Sequence, residues 1–562
     1  MMRLPLPVHA GSRSDERRSD LACAGIVVAA ALLLALRIYG ALTLAMNSDE
    51  PQHLHVVWAW TQGLLPYRDV FDNHAPLFQL ASAPLLAWLG ERADIVALMR
   101  LAMIPIYFAA LALTWRIGKT LWSSRVGLLA AALAATAPIF FIVSAQFRPD
   151  DLWMLLWLAA VAVAIEPRLA RHRAALVGFV VGTALAVSLK TLLLIAAAGI
   201  AWLAVLAIDG GLRELASRRL AGTLGVGVLG ALAVPAAFAA FFAGAGIWRE
   251  AFYCIVQHNV APELDDRIGG LRMLIPLLGC PLAIVAARAW RSRAGDASRW
   301  RAQGTVLLAT LFYLLFLYGF WPLVTHQDLL PAIPLVAVGA AALVFRGGGT
   351  DPARRGLGAF FAAICLVNLA TDAIPLHNEL TDEANELARV LRLTRPEDYV
   401  MDAKGEMIFR RRPVYWAMEN ITLARMRDAS IGDDIAERLA ATGTPVVIMD
   451  RLPPRDAAFV ERNYVPIGPA GGLIRIAGQH LGAVRAGEPA AFDIDVPAEY
   501  ALVTPVGGAA GTLDGAPYDG AARLAAGRHS FVASVDSRLA LVWAPALKRG
   551  LGERELFGVS RE

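Results

Sequence analysis

The chain is short of cysteine and of charge. Its 562 residues include four cysteines, at positions 23, 254, 280 and 365, scattered with no CxxC pair. This excludes a disulfide framework and a thiolate zinc site. Charged residues make up 18%, too few for one soluble globule of this length. No glycine-rich phosphate loop follows a strand in the apolar part, which argues against a nucleotide-sugar site. Solenoid-type repeats are missing as well. A formal net charge of +4 gives no reason to expect a nucleic-acid partner.

What the sequence has is apolar length. Hydrophobic residues make up 57% and the mean hydropathy is +0.52. Apolar runs fall near 21–44, 95–115, 126–145, 151–165, 174–189, 191–208, 220–243, 271–287, 304–320, 328–345 and 356–373. On the length criterion these predict about eleven membrane-spanning helices. Pro76–Leu89 is apolar but short and holds Pro76 and Pro84, so it reads as a re-entrant or interfacial segment. The first run is long for a signal peptide and no small-residue cleavage site follows it, which predicts a retained first span.

The loop charges set a topology. With the N-terminus inside, alternate loops carry Arg116, Lys119 and Arg125; Arg168, Arg171 and Arg173; Arg213, Arg218 and Arg219; a cluster from Arg288 to Arg301; and Arg346, Arg354 and Arg355. The opposite loops carry few cations and many carboxylates. This is the positive-inside pattern, and counting Pro76–Leu89 as a span would invert every later loop. The expected organisation is a cytoplasmic tail at 1–20, a transmembrane domain at 21–373 with a large first outer loop at 45–94, an extracytoplasmic α/β domain at 374–480 and a β-rich region at 481–562. Helical periodicity at Glu379–Leu393 and Ile431–Thr442, strand-like runs at Tyr399–Asp402 and Pro445–Asp450, and the alternating FDIDV and HSFVASV segments support the last two.

Polar groups gather on the outer side. Asp49 and Glu50 stand just past the first apolar edge, followed by His53, His55, Arg68, Asp69, Asp72 and His74. An interfacial carboxylate can take a proton from a hydroxyl or hold a divalent cation, but it can also simply open a solvated loop. His53 lies at i+4 from Asp49, on the same helical face. At 146–151 the sequence reads QFRPDD. Pro149 disfavours helix at Arg148 and suits the first turn after it. Asp150 and Asp151 then sit where a helix N-terminus favours anions, which by itself explains them structurally. Arg148 offers a fork for phosphate. Lys190, between two apolar runs, is an ionisable group at membrane depth or one that snorkels to the interface. His326 lies at another span boundary.

In order, the acidic pair, Gly63–Asp69 (GLLPYRD), Asn73–Leu77 (NHAPL), Arg100–Leu101, RPDD, the Lys190 join and His326–Gln327 before LLPAIP resemble the GT-C glycosyltransferases of the protein O-mannosyltransferase and aminoarabinose-transferase type (families 39 and 83), over roughly residues 20–345. The resemblance implies an α-helical polytopic membrane protein of the bacterial inner-membrane type. It implies a polyprenyl-phosphate-linked sugar donor and inverting transfer to an acceptor hydroxyl of a lipid, glycan or protein on the outer face. Asp49 is then the candidate base. Glu50, with His53 beside it, would position acceptor or metal, and Asp150 or Asp151 would be the second acid. Arg148, Lys190, His74, His326 and Arg68 would serve the donor phosphate, His74 standing where aminoarabinose transferases carry a lysine. The resemblance assigns no definite cofactor, and a divalent cation such as Mg or Mn is compatible with it. A transporter or a non-catalytic envelope-assembly protein is the alternative. The first would place its polar groups near the midplane of repeated halves, and the second leaves Asp49–Glu50 and RPDD without a role.

Overall fold

A computed structural model describes residues 12–166, 170–260, 270–292, 297–321, 323–345, 363, 367, 374–468 and 472–557. Fifteen helices precede the soluble part among these residues: α1 Ser12–Thr43, α2 Asp49–Thr61, α3 Leu77–Leu89, α4 Ile95–Leu101, α5 Ile104–Leu121, α6 Ser124–Thr136, α7 Pro138–Val143, α8 Pro149–Ala164, α9 Arg171–Val187, α10 Thr191–Ile208, α11 Arg218–Gly244, α12 Trp248–Phe252, α13 Gly270–Arg291, α14 Ala297–Gly319 and α15 Ile333–Phe345.

Among the described residues, six stretches are long and apolar enough to cross a membrane: Ala24–Thr43, Ile95–Leu121, Thr191–Ile208, Arg218–Gly244, Leu271–Arg291 and Ala297–Gly319. The other expected spans are helical but shorter among the described residues. The 126–145 run is divided into α6 and α7 by Pro138, whose ring cannot continue the preceding helix. The expected spans at 151–165, 174–189 and 328–345 are α8, α9 and α15. The eleventh, at 356–373, lies outside the described residues apart from two positions. Pro76–Leu89 is the short helix α3, with Pro84 inside it.

The soluble part follows from 374. Helices Thr381–Leu393, Asn420–Arg427, Ile435–Thr442 and Pro454–Asn463 alternate with short strands β1 Val400–Met401, β2 Val446–Ile448 and β3 Tyr464–Pro466. Strands β4 Ile474–Val484, β5 Pro489–Ile494, β6 Ala498–Thr504, β7 Gly507–Gly508, β8 Gly511–Leu513, β9 Ala516–Pro517, β10 Ala522–Leu524, β11 Gly527–Ala533 and β12 Ser537–Trp543 complete it. One sheet runs β1-β2-β4-β12-β6-β10, and a second runs β5-β11-β8-β9. β1 and β2 are parallel, as a βαβ reading requires. The division expected at 480 falls inside β4, which pairs with β2 on one side and β12 on the other. One sheet thus joins the α/β and β-rich parts.

The soluble part is fastened to the segment between α1 and α4. Arg410 grips Glu91 with both Nη atoms at 2.9 and 2.8 Å. The Tyr415 hydroxyl donates to the Tyr67 carbonyl at 2.6 Å. Phe71 packs on Tyr415 and Trp416, ring centroids 5.7 and 5.2 Å apart. These contacts bring residues 399–419 over α2.

Candidate functional site

The site begins at the N-terminus of α2. Ser48 is the N-cap residue, and Asn47 before it braces the first turn: its Oδ1 accepts the Asp49 N–H at 3.0 Å, and its own N–H donates to Glu50 at 2.9 Å. Both acids therefore fall in the first turn, where the helix end favours negative charge. They have different fates.

Glu50 is wholly buried and spoken for. It receives Arg100 Nε at 2.7 Å and Nη2 at 2.6 Å, and the backbone N–H of Phe147 at 2.7 Å. Arg100 also donates to the carbonyls of Leu44 and Ala45. Glu50 thus ties α2, the end of α4 and the loop before α8 into one block.

Asp49 keeps about a quarter of its side chain exposed and faces two cations. Arg148 Nη1 lies 2.8 Å away and Lys404 Nζ lies 2.6 Å away. Burial acts to raise its pKa, but Arg148 and then Lys404 outweigh this and hold it far below the ordinary carboxylate range.

Arg148 is extended, followed by Pro149 at the first turn of α8. Its Nη1 also donates to Asn47 and its Nε reaches Asp150 at 3.2 Å. Asp150 lies 4.0 Å from Lys190, and Lys190 meets Asp328 at 2.5 Å. Six side chains therefore form a run of alternating sign: Lys404, Asp49, Arg148, Asp150, Lys190, Asp328. They come from the soluble part, α2, α8, the α9–α10 join and the turn His326–Leu329. Burial acts to lower the Lys190 pKa, and Asp328 with Asp150 more than offsets it, so the ammonium stays charged.

The histidines lie beside this run. His53 is fully buried, its ring 4.5 Å from that of His74. Burial first, then the neighbouring His74 and Arg148, push its pKa well down, which favours the neutral imidazole. Its Nε2 has no hydrogen-bond partner among the described residues. His74 is half-buried and bonds through Nδ1 to Asp72 at 2.9 Å.

Three of the expected residues stand apart. Asp151 is buried, but neither carboxylate oxygen has a hydrogen-bond partner among the described residues. Arg68 is exposed and pairs with its neighbour Asp69 at 2.8 Å. His326 is exposed, and the inward residue of its turn is Asp328, held by Thr325 in a capping box.

Three residues of the cluster carry no site assignment from the sequence. Arg100 had a readable signal, an ionisable group inside an apolar run. Asp328 had a weaker one, a carboxylate at the edge of the next run. Lys404 had none, since a lysine in a soluble loop is ordinary.

Glu50, Asp49 and Asp150 are already engaged by cations or backbone donors. No group of three metal-ligating side chains occurs among the described residues. The positive charge here is supplied by Arg148, Lys190 and Lys404.

The chain joins an α-helical apolar domain to a carboxy-terminal soluble domain, with the polar site between them. It is similar to crystal structures of ArnT from Cupriavidus metallidurans. The apo form superposes with a TM-score of 0.58 at 13% identity, covering 81% of this chain and 98% of that one. The form bound to undecaprenyl phosphate superposes with a TM-score of 0.56 at 14% identity, with the same coverage. No protein-family model matches the chain, and no curated protein matches its sequence.

Proposed function

We propose that this protein is an inverting membrane glycosyltransferase that moves a sugar from a polyprenyl-phosphate donor to an acceptor hydroxyl at the extracytoplasmic face. It would be a multi-pass protein of the bacterial-type inner membrane with the soluble domain outside. The observation that carries this reading is the convergence of Asp49, Arg148, Asp150 and Lys190 on one face, just beyond the apolar helices. An undecaprenyl phosphate-bound structure of the same fold agrees with a lipid-phosphate donor.

The chemistry follows from these groups. An acceptor O–H gives its proton to the Asp49 carboxylate as its oxygen attacks the anomeric carbon. The bond from that carbon to the phosphate oxygen breaks, and its electron pair stays on the phosphate. The donor phosphate carries one negative charge and leaves with two. Cations placed where this charge develops lower the barrier, and Arg148 and Lys190 are such cations. Attack opposite the leaving group inverts the anomeric centre. Glu50, bound on all sides, shapes this site without taking a proton. His53 and His74 are neighbours able to position the acceptor.

The test is transfer of labelled sugar from a polyprenyl-phosphate donor pool to membrane acceptors by wild type and Asp49→Asn, both shown to be folded. The variant is expected to lose activity by about 10²–10⁴-fold, the contribution of a general base. Equal rates would remove Asp49 from the mechanism, and no transfer by wild type would remove the transferase.

A further inference from the structure

Lys404 reaches the site from outside the membrane domain, and its placement is built into the fold. It lies in the turn after β1, where Asp402 accepts the N–H groups of Gly405 and Met407 at 2.7 and 2.8 Å and Arg412 Nε at 2.9 Å. Gly405 has φ +91°, and a Cβ there would stand 2.6 Å from the Cβ of His55. The turn therefore lies directly on α2. His55 Nδ1 meets the Ile408 carbonyl at 2.9 Å and fixes it from the other side. The Lys404 side chain is nearly buried, with Nζ at 2.6 Å from Asp49 and 3.3 Å from Ser48 Oγ.

This arrangement conflicts with the base assigned to Asp49. A carboxylate touching two cations is a weak proton acceptor, because accepting the proton discards both attractions. One cation must leave for the reaction to proceed. Arg148 is held by Asn47, Asp49 and Asp150, and a planar guanidinium so fixed does not swing. Lys190 is engaged with Asp328 and Asp150. Lys404 is a point charge on a flexible four-carbon stem, with a rigid backbone below it and two contacts at its tip.

We propose that Lys404 is a transferable counter-ion that serves two anions in turn: Asp49, as in this structure, and the phosphate of an entering lipid-phosphate donor. This rests on the transferase reading. Passage to the phosphate does two things together. It adds a charge-assisted hydrogen bond where the leaving group gains its second negative charge. It also leaves Asp49 with Arg148 as its one cationic contact, which restores basicity only when a donor is in place. The soluble domain thereby becomes part of the donor site, and the base is quiet toward hydroxyls without a donor. The groups facing Asp49 are Arg148 from the start of α8, His53 one turn along α2, Asn47 and Ser48 before it, and Lys404 from the soluble part.

The experiment is a double-mutant cycle on binding, with the full chain in nanodiscs. The probes are undecaprenyl phosphate and undecaprenol, which has the same tail and no phosphate. Lys404→Gln is expected to weaken binding of the phosphate about tenfold, the effect of one charge-assisted hydrogen bond, and to leave the alcohol unchanged. Lys404→Arg is expected to retain phosphate binding. Asp49→Asn is expected to tighten phosphate binding in the wild-type background, because it frees Lys404, and to have no such effect when Lys404 is glutamine. Unchanged phosphate affinity in Lys404→Gln, or an equal effect of Asp49→Asn in both backgrounds, overturns the proposal. If Lys404→Gln does not fold, Asp49→Asn decides: tighter binding supports the exchange, and unchanged or weaker binding overturns it. Coupling on binding without sugar transfer by wild type would leave the exchange standing and remove the transferase reading alone.

Discussion

Glu50 and Arg100 form a doubly hydrogen-bonded pair, at 2.7 and 2.6 Å, with neither side chain exposed. It clamps the end of α1, the start of α2 and the end of α4. The neighbouring acid, one residue earlier, is partly exposed and faces two cations. Adjacent carboxylates thus divide into an enclosed one and a partly exposed one through the partners that the fold supplies.

The clamp has a stability signature. Breaking a buried ion pair by removing one partner costs about 3–5 kcal/mol, because the other charge stays buried. Glu50→Gln and Arg100→Met are each expected to lower the melting temperature in detergent sharply. The double variant Glu50→Leu with Arg100→Met is expected to recover part of the loss, since no uncompensated charge remains. Single variants that melt like wild type would show that the pair is not the clamp.

The far end of the charge run separates phosphate binding from support. Lys190→Met removes a cation from the site and is expected to lower kcat/KM by about 10–100-fold, the range for a hydrogen bond to a charged group. Asp328→Asn leaves Lys190 near Asp150 and keeps a side-chain acceptor for the Thr325 cap, so its loss is expected to be smaller. A larger loss for Asp328→Asn, with unchanged melting, would reverse the assignment.

Gly405 is a local test of how the soluble domain docks. Gly405→Ala places a methyl group against His55 and forces an L side chain into positive φ, at about 1–3 kcal/mol. The turn is expected to lift from α2. Proteolysis between residues 399 and 419 should become faster and sugar transfer slower, while the membrane helices stay intact. Unchanged protease resistance would mean that the turn tolerates the methyl.

The second docking contact is pH-dependent. Glu419 is mostly buried and receives His258 Nε2 at 2.7 Å and the N–H groups of Ile421 and Thr422. Burial acts to raise its pKa, but the hydrogen bond with His258 and the backbone donors pull it below the usual glutamate value. A depressed carboxylate stabilises the fold above its unfolded pKa of about 4.3 and loses that contribution as pH falls through the lower folded value. Domain stability should therefore drop on acidification below about pH 4.3, and Glu419→Gln should flatten that acid limb. An acid limb of equal slope in the variant would assign the loss to other carboxylates.

Much of the fold was readable because its signals are local. Apolar length marks α1, α5, α10, α11, α13 and α14, and Pro138 marks the break between α6 and α7. Charges beside apolar runs mark Asp49, Glu50, Arg148, Asp150 and Lys190, since polar groups are costly there unless they have partners. Arg68 and His326 carry similar local signals, yet they are exposed and outside the charge run, because sequence proximity does not orient a side chain.

By itself the sequence determined where helices run and which residue types stand at their edges, because periodicity and hydropathy act over a few turns. Which of two adjacent acids is bound on all sides, and which lysine meets the other, was decided by tertiary structure alone. Lys404 and Asp49 are 355 residues apart, and Lys190 and Asp328 are 138 apart. An ion pair needs its charges within a few ångströms, and no local pattern encodes which distant loop the packing of a sheet and a helix bundle will bring that close.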